Sequence, residues 1–316
     1  LSLGPPHTPF RPPKDFDLYT PEEIRLRPNV PAPTPGVDRP NRRQNGPARS
    51  GGQNHQATAR RDLAGYYGLC ESLDHEVGRL TTFLKTSGLD ADTLVVFTSD
   101  HGELAGSHGK YRKGEPEEES LHVPLIMRLP GTISAGSRSG ALINSIDVMP
   151  TMLSLCGLPD PGTCSGRNMS AAVASGASGH SHQDAIYCEG KLTQADADED
   201  SRPSRRRSDA ADDKGAADNG AAGSPASWRT IVTDRFKLTV RGKERQVEHL
   251  FNLNDDPFEL QNLAGSAEHR SVREELLEQL LVFRDESGDS WPQTPPSARA
   301  MYEDPTPSPG QNPKAR

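Results

Sequence analysis

Apolar residues at Leu63, Tyr67, Cys70, Leu73, Val77, Leu80 and Leu84 recur at steps of three and four. That spacing predicts one long amphipathic helix over residues 58–86, with Gly88 as its C-terminal stop. The pattern then changes. Leu94-Val95-Val96-Phe97 is an unbroken apolar run without polar alternation, which predicts a strand buried on both faces, as in a parallel sheet. Val123 to Leu129 predicts a second strand, Gly140 to Ser145 a short third one, and Asp147 to Cys156 a short helix capped by Asp147 or Ser145. Further on, Ala185 to Glu189 reads as a strand. Trp228 to Val240 reads as a hairpin turning at Asp234-Arg235, and Leu250 to Leu253 as the next strand. Val272, Leu276, Leu277, Leu280 and Phe283 mark a second amphipathic helix over residues 271–285.

Between these elements the chain changes character. Residues 1–56 are rich in Pro, Asn, Gly and Arg; the prolines of Pro5-Pro6-His7-Thr8-Pro9 exclude a helix interior and predict an extended surface segment. Residues 191–227 are almost purely small and polar and read as a disordered insertion joining two strands that pair with each other; residues 291–316 read as a disordered, Pro-rich tail. These stretches explain why only 32 % of the 316 residues are hydrophobic. The net charge of −8, with Arg205 to Arg207 flanked by aspartates, argues against a nucleic-acid partner. No apolar run is long enough to span a membrane. The four cysteines show no C-x-x-C spacing; Cys70 and Cys156 read as small core hydrophobes, with a Cys156–Cys164 bridge as the alternative for Cys156.

The candidate chemistry sits where the apolar strand stops. Asp100 and His101 follow it directly, and in open α/β sheets ligands bind at the carboxyl ends of strands. A carboxylate and a neutral imidazole can hold a divalent cation, while Asp100 could equally cap a following helix. His108 and Lys113 lie on the glycine-rich loop that follows.

The order Ser99-Asp100-His101-Gly102-Glu103, Gly106-Ser107-His108-Gly109, Lys113-Gly114, Glu118-Glu119-Ser120 and Val123-Pro124-Leu125-Ile126 resembles the metal- and sulfate-binding segment of the sulfatases, members of the alkaline-phosphatase-like superfamily. Pro-flanked His7 with Phe10, Ser145 to Thr151, and Asn254 to Leu263 resemble further family segments. The resemblance implies an α/β fold with a doubly wound, mostly parallel sheet, here truncated, and a small C-terminal antiparallel sheet plus helix. It implies a partial catalytic domain over residues 1–190 and a C-terminal subdomain over residues 228–290. It also implies a sulfuric ester hydrolase acting on a sulfated small molecule or glycan, with calcium as the cation. By position, Asp100 and His101 are the implied metal ligands, and His7 and Lys113 the implied sulfate contacts. His108 is implied to order the loop, Lys110 to lie in solvent, Glu103 to support the metal site or be solvated, and Asp147 to be a cap. The family's nucleophile is a formylglycine made from a Cys or Ser in a Cys/Ser-x-Pro-x-Arg motif. That motif, and the paired aspartates that precede it in the family, are expected to be missing from this chain; Cys164-Ser165-Gly166-Arg167 lacks the proline and lies beyond the metal loop. The opening on Leu1, inside a family-like segment, implies a fragment that is inactive alone. Hydrolysis of phosphate or phosphonate esters and a non-catalytic binding module are the alternatives.

Overall fold

The computed structural model describes residues 1–32, 55–175, 185–190, 227–241 and 246–287. The expected disorder of residues 191–226 and 291–316 lies outside the described residues, whereas Ser227, assigned to the same insertion, is described and buried. Among the described residues no helix is long and apolar enough to cross a membrane.

The long helix, α1, spans His55–Thr86, three residues longer at its start than the spacing predicts. Leu63 and Ala64 on its inner face pack with Ile24 and Ala105, flanked by Tyr19 and Leu26. The N-terminal segment crosses the same helix. A Cβ at Gly65 would collide with the Phe10 carbonyl, and one at Gly68 with the Phe16 carbonyl, so the two glycines let that segment lie against the helix backbone. This contact carries His7 toward the end of β1.

Strand β1 spans Val95–Thr98 and β2 spans Leu125–Arg128. They pair with each other, antiparallel, with Val95 opposite Arg128 and Thr98 opposite Leu125. The expectation of a fully buried strand in a parallel sheet is therefore corrected here. An apolar run records burial but carries no information about strand direction. β1 is half-buried, and Ile126 on β2 is 61 % exposed. No third strand pairs with either among the described residues. Residues 140–144 form no strand.

The short helix α2, Glu118–Leu121, leads into β2. Helix α3, Val148–Leu155, follows a 3-10 turn whose capping box joins Asn144 to Asp147. Asp147 is 1 % exposed, accepts from the Arg167 amide at 2.7 Å and pairs with its guanidinium at 3.0 Å. Its structural role is thus as expected, although Asn144 holds the cap position. Cys156, by contrast, is exposed rather than packed, and both Cys156 and Cys164 are free. Helix α4 is the six-residue segment Ser170–Ser175.

The C-terminal half forms a four-stranded antiparallel sheet in the order β3 (Ile186–Gly190), β4 (Trp228–Val232), β5 (Phe236–Arg241) and β6 (Gln246–Asn252). β3 and β4 pair directly, as expected of the strands that flank the insertion. The β4–β5 turn is held by Thr233, whose amide donates to the Phe236 carbonyl at 2.8 Å. Alternation sorts the faces. Ile231, Leu238, Val240 and Leu250 pack with Leu276 and Leu280 of helix α5, Arg270–Ser287. The opposite face carries Trp228, Thr230, Lys237, Thr239 and Arg241, which are cross-strand neighbours. It is also covered, so every residue of β4 is buried.

Candidate active site

The turn after β1 delivers Ser99, Asp100 and His101 together. The Ser99 hydroxyl donates to the His101 carbonyl at 2.8 Å, and the His101 amide donates to Asp100 Oδ1 at 3.1 Å. Nδ1 of His101 lies 2.8 Å from the Gly102 carbonyl, which only accepts. That nitrogen is therefore the protonated one, and Nε2 keeps its lone pair. Nε2 faces Asp100 Oδ2 at 3.6 Å.

His7 reaches the same place from the N-terminal segment. Its Nδ1 lies 2.8 Å from the Thr8 carbonyl, so Nε2 again holds the lone pair, and it lies 2.9 Å from Lys113 Nζ. The His7 and His101 rings meet edge to face with centroids 6.5 Å apart. The four residues expected to act together thus surround one space, although His7 and Lys113 are separated by 106 positions in sequence. The space is open to solvent: His7, Asp100 and Lys113 are exposed, and the Asp100 carboxylate is 87 % accessible.

The loop between these groups is tightly tied. Glu103, half-buried, closes the loop: its Oε1 accepts from the amides of Ala105 at 3.1 Å and Arg112 at 2.6 Å. The Lys110 side chain is 37 % exposed, as expected of a solvent-facing residue, and also pairs with Glu115 and Glu117. His108 orders the loop as expected: its amide donates to the Asn29 carbonyl at 2.8 Å, and Asn29 Nδ2 lies 3.1 Å from its Nε2. Burial lowers the His108 pKa, which keeps the ring neutral and able to accept that bond.

Behind the loop lies a charge network that the sequence reading did not reach. Lys237 of β5 is 1 % exposed, with Nζ 2.5 Å from Glu259 and 3.0 Å from Glu118. Glu259 also accepts from the Glu118 amide at 2.9 Å. Asn29 donates to Glu119 at 2.7 Å. The alternation of β5 marks Lys237 as belonging to the polar face, but a polar face ordinarily signals solvent. The covering loop is a tertiary fact.

Among the described residues, two of the groups near the loop could supply cation ligands. Asp100 and His101 present a carboxylate oxygen and an imidazole lone pair 3.6 Å apart. That matches two neighbouring ligands on a cation with bonds of about 2.3–2.6 Å. The pair fits a divalent cation in kind and spacing, but supplies two of the roughly six to eight ligands calcium takes. His108, Glu119 and Glu259 also place one ligand atom each within 4.8 Å of the others. There the donors are already engaged by Asn29 and by the Lys237 ammonium.

Residues 4–158 match the family model Sulfatase. An arylsulfatase of Clostridium perfringens is 29 % identical over 292 residues, covering 89 % of this chain and 52 % of that protein. A solved Bacteroides fragilis structure described as a candidate sulfatase superposes with a TM-score of 0.68 at 22 % identity, over 91 % of this chain and 53 % of that one. The phosphonate monoester hydrolase of Agrobacterium radiobacter is 28 % identical with a TM-score of 0.56, over 73 % of this chain and 42 % of that one. Over residues 4–158 the chain is a member of the sulfatase family. It spans about half the length of that arylsulfatase. One literal Ser-x-Pro-x-Arg does occur, at Ser201-Arg202-Pro203-Ser204-Arg205. The expectation that the motif is missing from the chain is therefore corrected: it occurs downstream of the metal loop, outside the described residues.

Proposed function

We propose that the protein carrying this chain hydrolyses sulfate esters of a small molecule or glycan, and that His7, Lys113, Asp100 and His101 are this chain's share of the active site. The observation that carries the reading is the convergence of the Lys113 ammonium and the His7 imidazole, 2.9 Å apart, beside Asp100 and His101. Lys113 offers a fixed positive charge to a sulfate oxygen, which matters most as charge builds there in the transition state. His7 Nε2, which lies 2.9 Å from Lys113 Nζ, would first take up a proton and then hand it to a departing alcohol oxygen. Asp100 and His101 would hold a divalent cation, with calcium the proposed one; when bound it neutralises sulfate charge and acidifies a bound hydroxyl. The remaining ligands and the nucleophile have no counterpart ahead of the metal loop. The 316-residue chain alone is therefore expected not to turn over sulfate esters.

The test is kinetic. The full-length gene product is assayed on a panel of aryl sulfates, phosphates and phosphonates. Lys113→Ala is expected to lower kcat/KM for the preferred sulfate by roughly 100- to 1,000-fold, the cost of one preorganised charge contact. Asp100→Asn should weaken calcium binding in calorimetry. Unchanged rates for both Lys113→Ala and His7→Ala would overturn the reading. The likeness to the phosphonate monoester hydrolase favours a second reading, phosphonate ester hydrolysis, and the same panel decides between them.

A further inference from the structure

The polar face of the C-terminal sheet grips the loop that carries Lys113. Trp228, 2 % exposed, donates from its indole Nε1 to the Gly114 carbonyl at 3.1 Å, one peptide beyond Lys113. Arg241, directly opposite Trp228 in the β4–β5 register, reaches Glu115 at 3.1 Å. Lys237 reaches Glu118 at 3.0 Å. Three residues of one face thus hold positions 114, 115 and 118, all within a few residues of the exposed lysine.

The indole is itself fixed. A Cβ at Gly190, its cross-strand partner on β3, would collide with the Trp228 ring, so the glycine leaves the slot in which the indole lies. Gly114 has a φ of +90°, a conformation that side chains rarely adopt. Its carbonyl is aimed by that turn and caught by a rigid aromatic donor. The same turn aims Lys113, whose side chain has little else to orient it, being exposed and in contact with His7.

We propose that Trp228 is a positioning residue for Lys113: its N–H sets the Gly114 peptide and so fixes where the ammonium meets the sulfate group. This rests on the sulfate-binding role assigned above to Lys113. Loss of the N–H leaves Lys113 present but spread over several positions, so its contribution falls while its charge remains.

The experiment is a double-mutant cycle on the full-length gene product, read as the Kd for inorganic sulfate by calorimetry. Trp228→Phe is expected to weaken sulfate about tenfold, with the melting temperature kept within a few degrees. In a Lys113→Ala background the same change should have no further effect, because the group it positions is gone. An equal loss in both backgrounds, or no loss in either, overturns the proposal and leaves Trp228 a packing residue. If Lys113→Ala itself leaves sulfate binding unchanged, the failure lies with the sulfate-binding role, and the positioning claim falls with it. Should Trp228→Phe fail to fold, benzothienylalanine at 228, which keeps the ring shape and lacks the N–H, makes the same measurement.

Discussion

β1–β2 and β3–β6 are both antiparallel, yet they meet their surroundings in opposite ways. The two-stranded sheet is half-buried and leaves Ile126 in solvent, while the four-stranded sheet is covered on both faces. The candidate catalytic groups stand at the end of the weaker one. Precision at His7, Asp100, His101 and Lys113 therefore has to come from elsewhere, and the ties from Trp228, Lys237 and Arg241 supply it to the loop. The lesson is a division of labour: one sheet presents chemistry to solvent and the other provides rigidity from behind.

The largest effect expected from disturbing this division is at Lys237. Lys237→Ala leaves Glu259 buried without its counter-charge, and such a loss costs about 3–5 kcal/mol. Denaturant unfolding of the full-length protein reads it directly; a change under 1 kcal/mol would mean that the buried pair is not what joins the two halves. Leu280→Ala, under the other face of the same sheet, should cost about 2–5 kcal/mol by the same measurement.

A smaller effect, with a definite sign, comes from Glu118. Burial works against its ionisation, but the hydrogen bond with His122 and the charge of Lys237 hold its pKa down to about 2. The hydrogen bond to Glu118 in turn raises the pKa of His122, against a smaller desolvation cost. A depressed carboxylate contributes fully above its unfolded pKa of about 4.3 and loses that contribution as pH falls toward 2. A raised histidine contributes fully below about 6.5 and loses it as pH rises through its higher folded value. The pair therefore adds most stability between about pH 4.5 and 6.5. Glu118→Gln should flatten the acid side of the stability profile by on the order of 2 kcal/mol. A profile as steep as the parent's would remove Glu118 from the network. At the small end, Ile126→Thr on the exposed sheet should change stability by no more than about 0.5 kcal/mol. A cost comparable to that of Leu280→Ala would show that β2 is covered in the whole protein.

The contrast also explains what could be read from the sequence. Helix α1 was legible because its stripe repeats over many turns, and the strands of the C-terminal sheet because turn residues bracket them. The four residues of the candidate site were legible through resemblance, since nothing local to His7 points 106 positions ahead to Lys113. Antiparallel pairing of β1 with β2 was not legible, because direction depends on partners and not on composition. Lys237 and Glu259 were hidden for a related reason. Polar residues on a strand face and in an Asx-rich turn read as solvated, and only the folded chain brings residues 117–119 over them.

Gly190 and Trp228 are opposite one another in the β3–β4 register, so residues 191–226 leave and re-enter the fold through a single cross-strand pair. The Cα atoms of such a pair are only about 4.5–5.5 Å apart. Closing a longer loop across that gate costs only about 0.6 kcal/mol per doubling of length. The strands on either side are held in register by their own pairing, from Ile186 opposite Val232 to Gly190 opposite Trp228. This edge of the molecule is a socket: a two-residue turn, a tag or an entire foreign module could be spliced there while Trp228 stays in its slot.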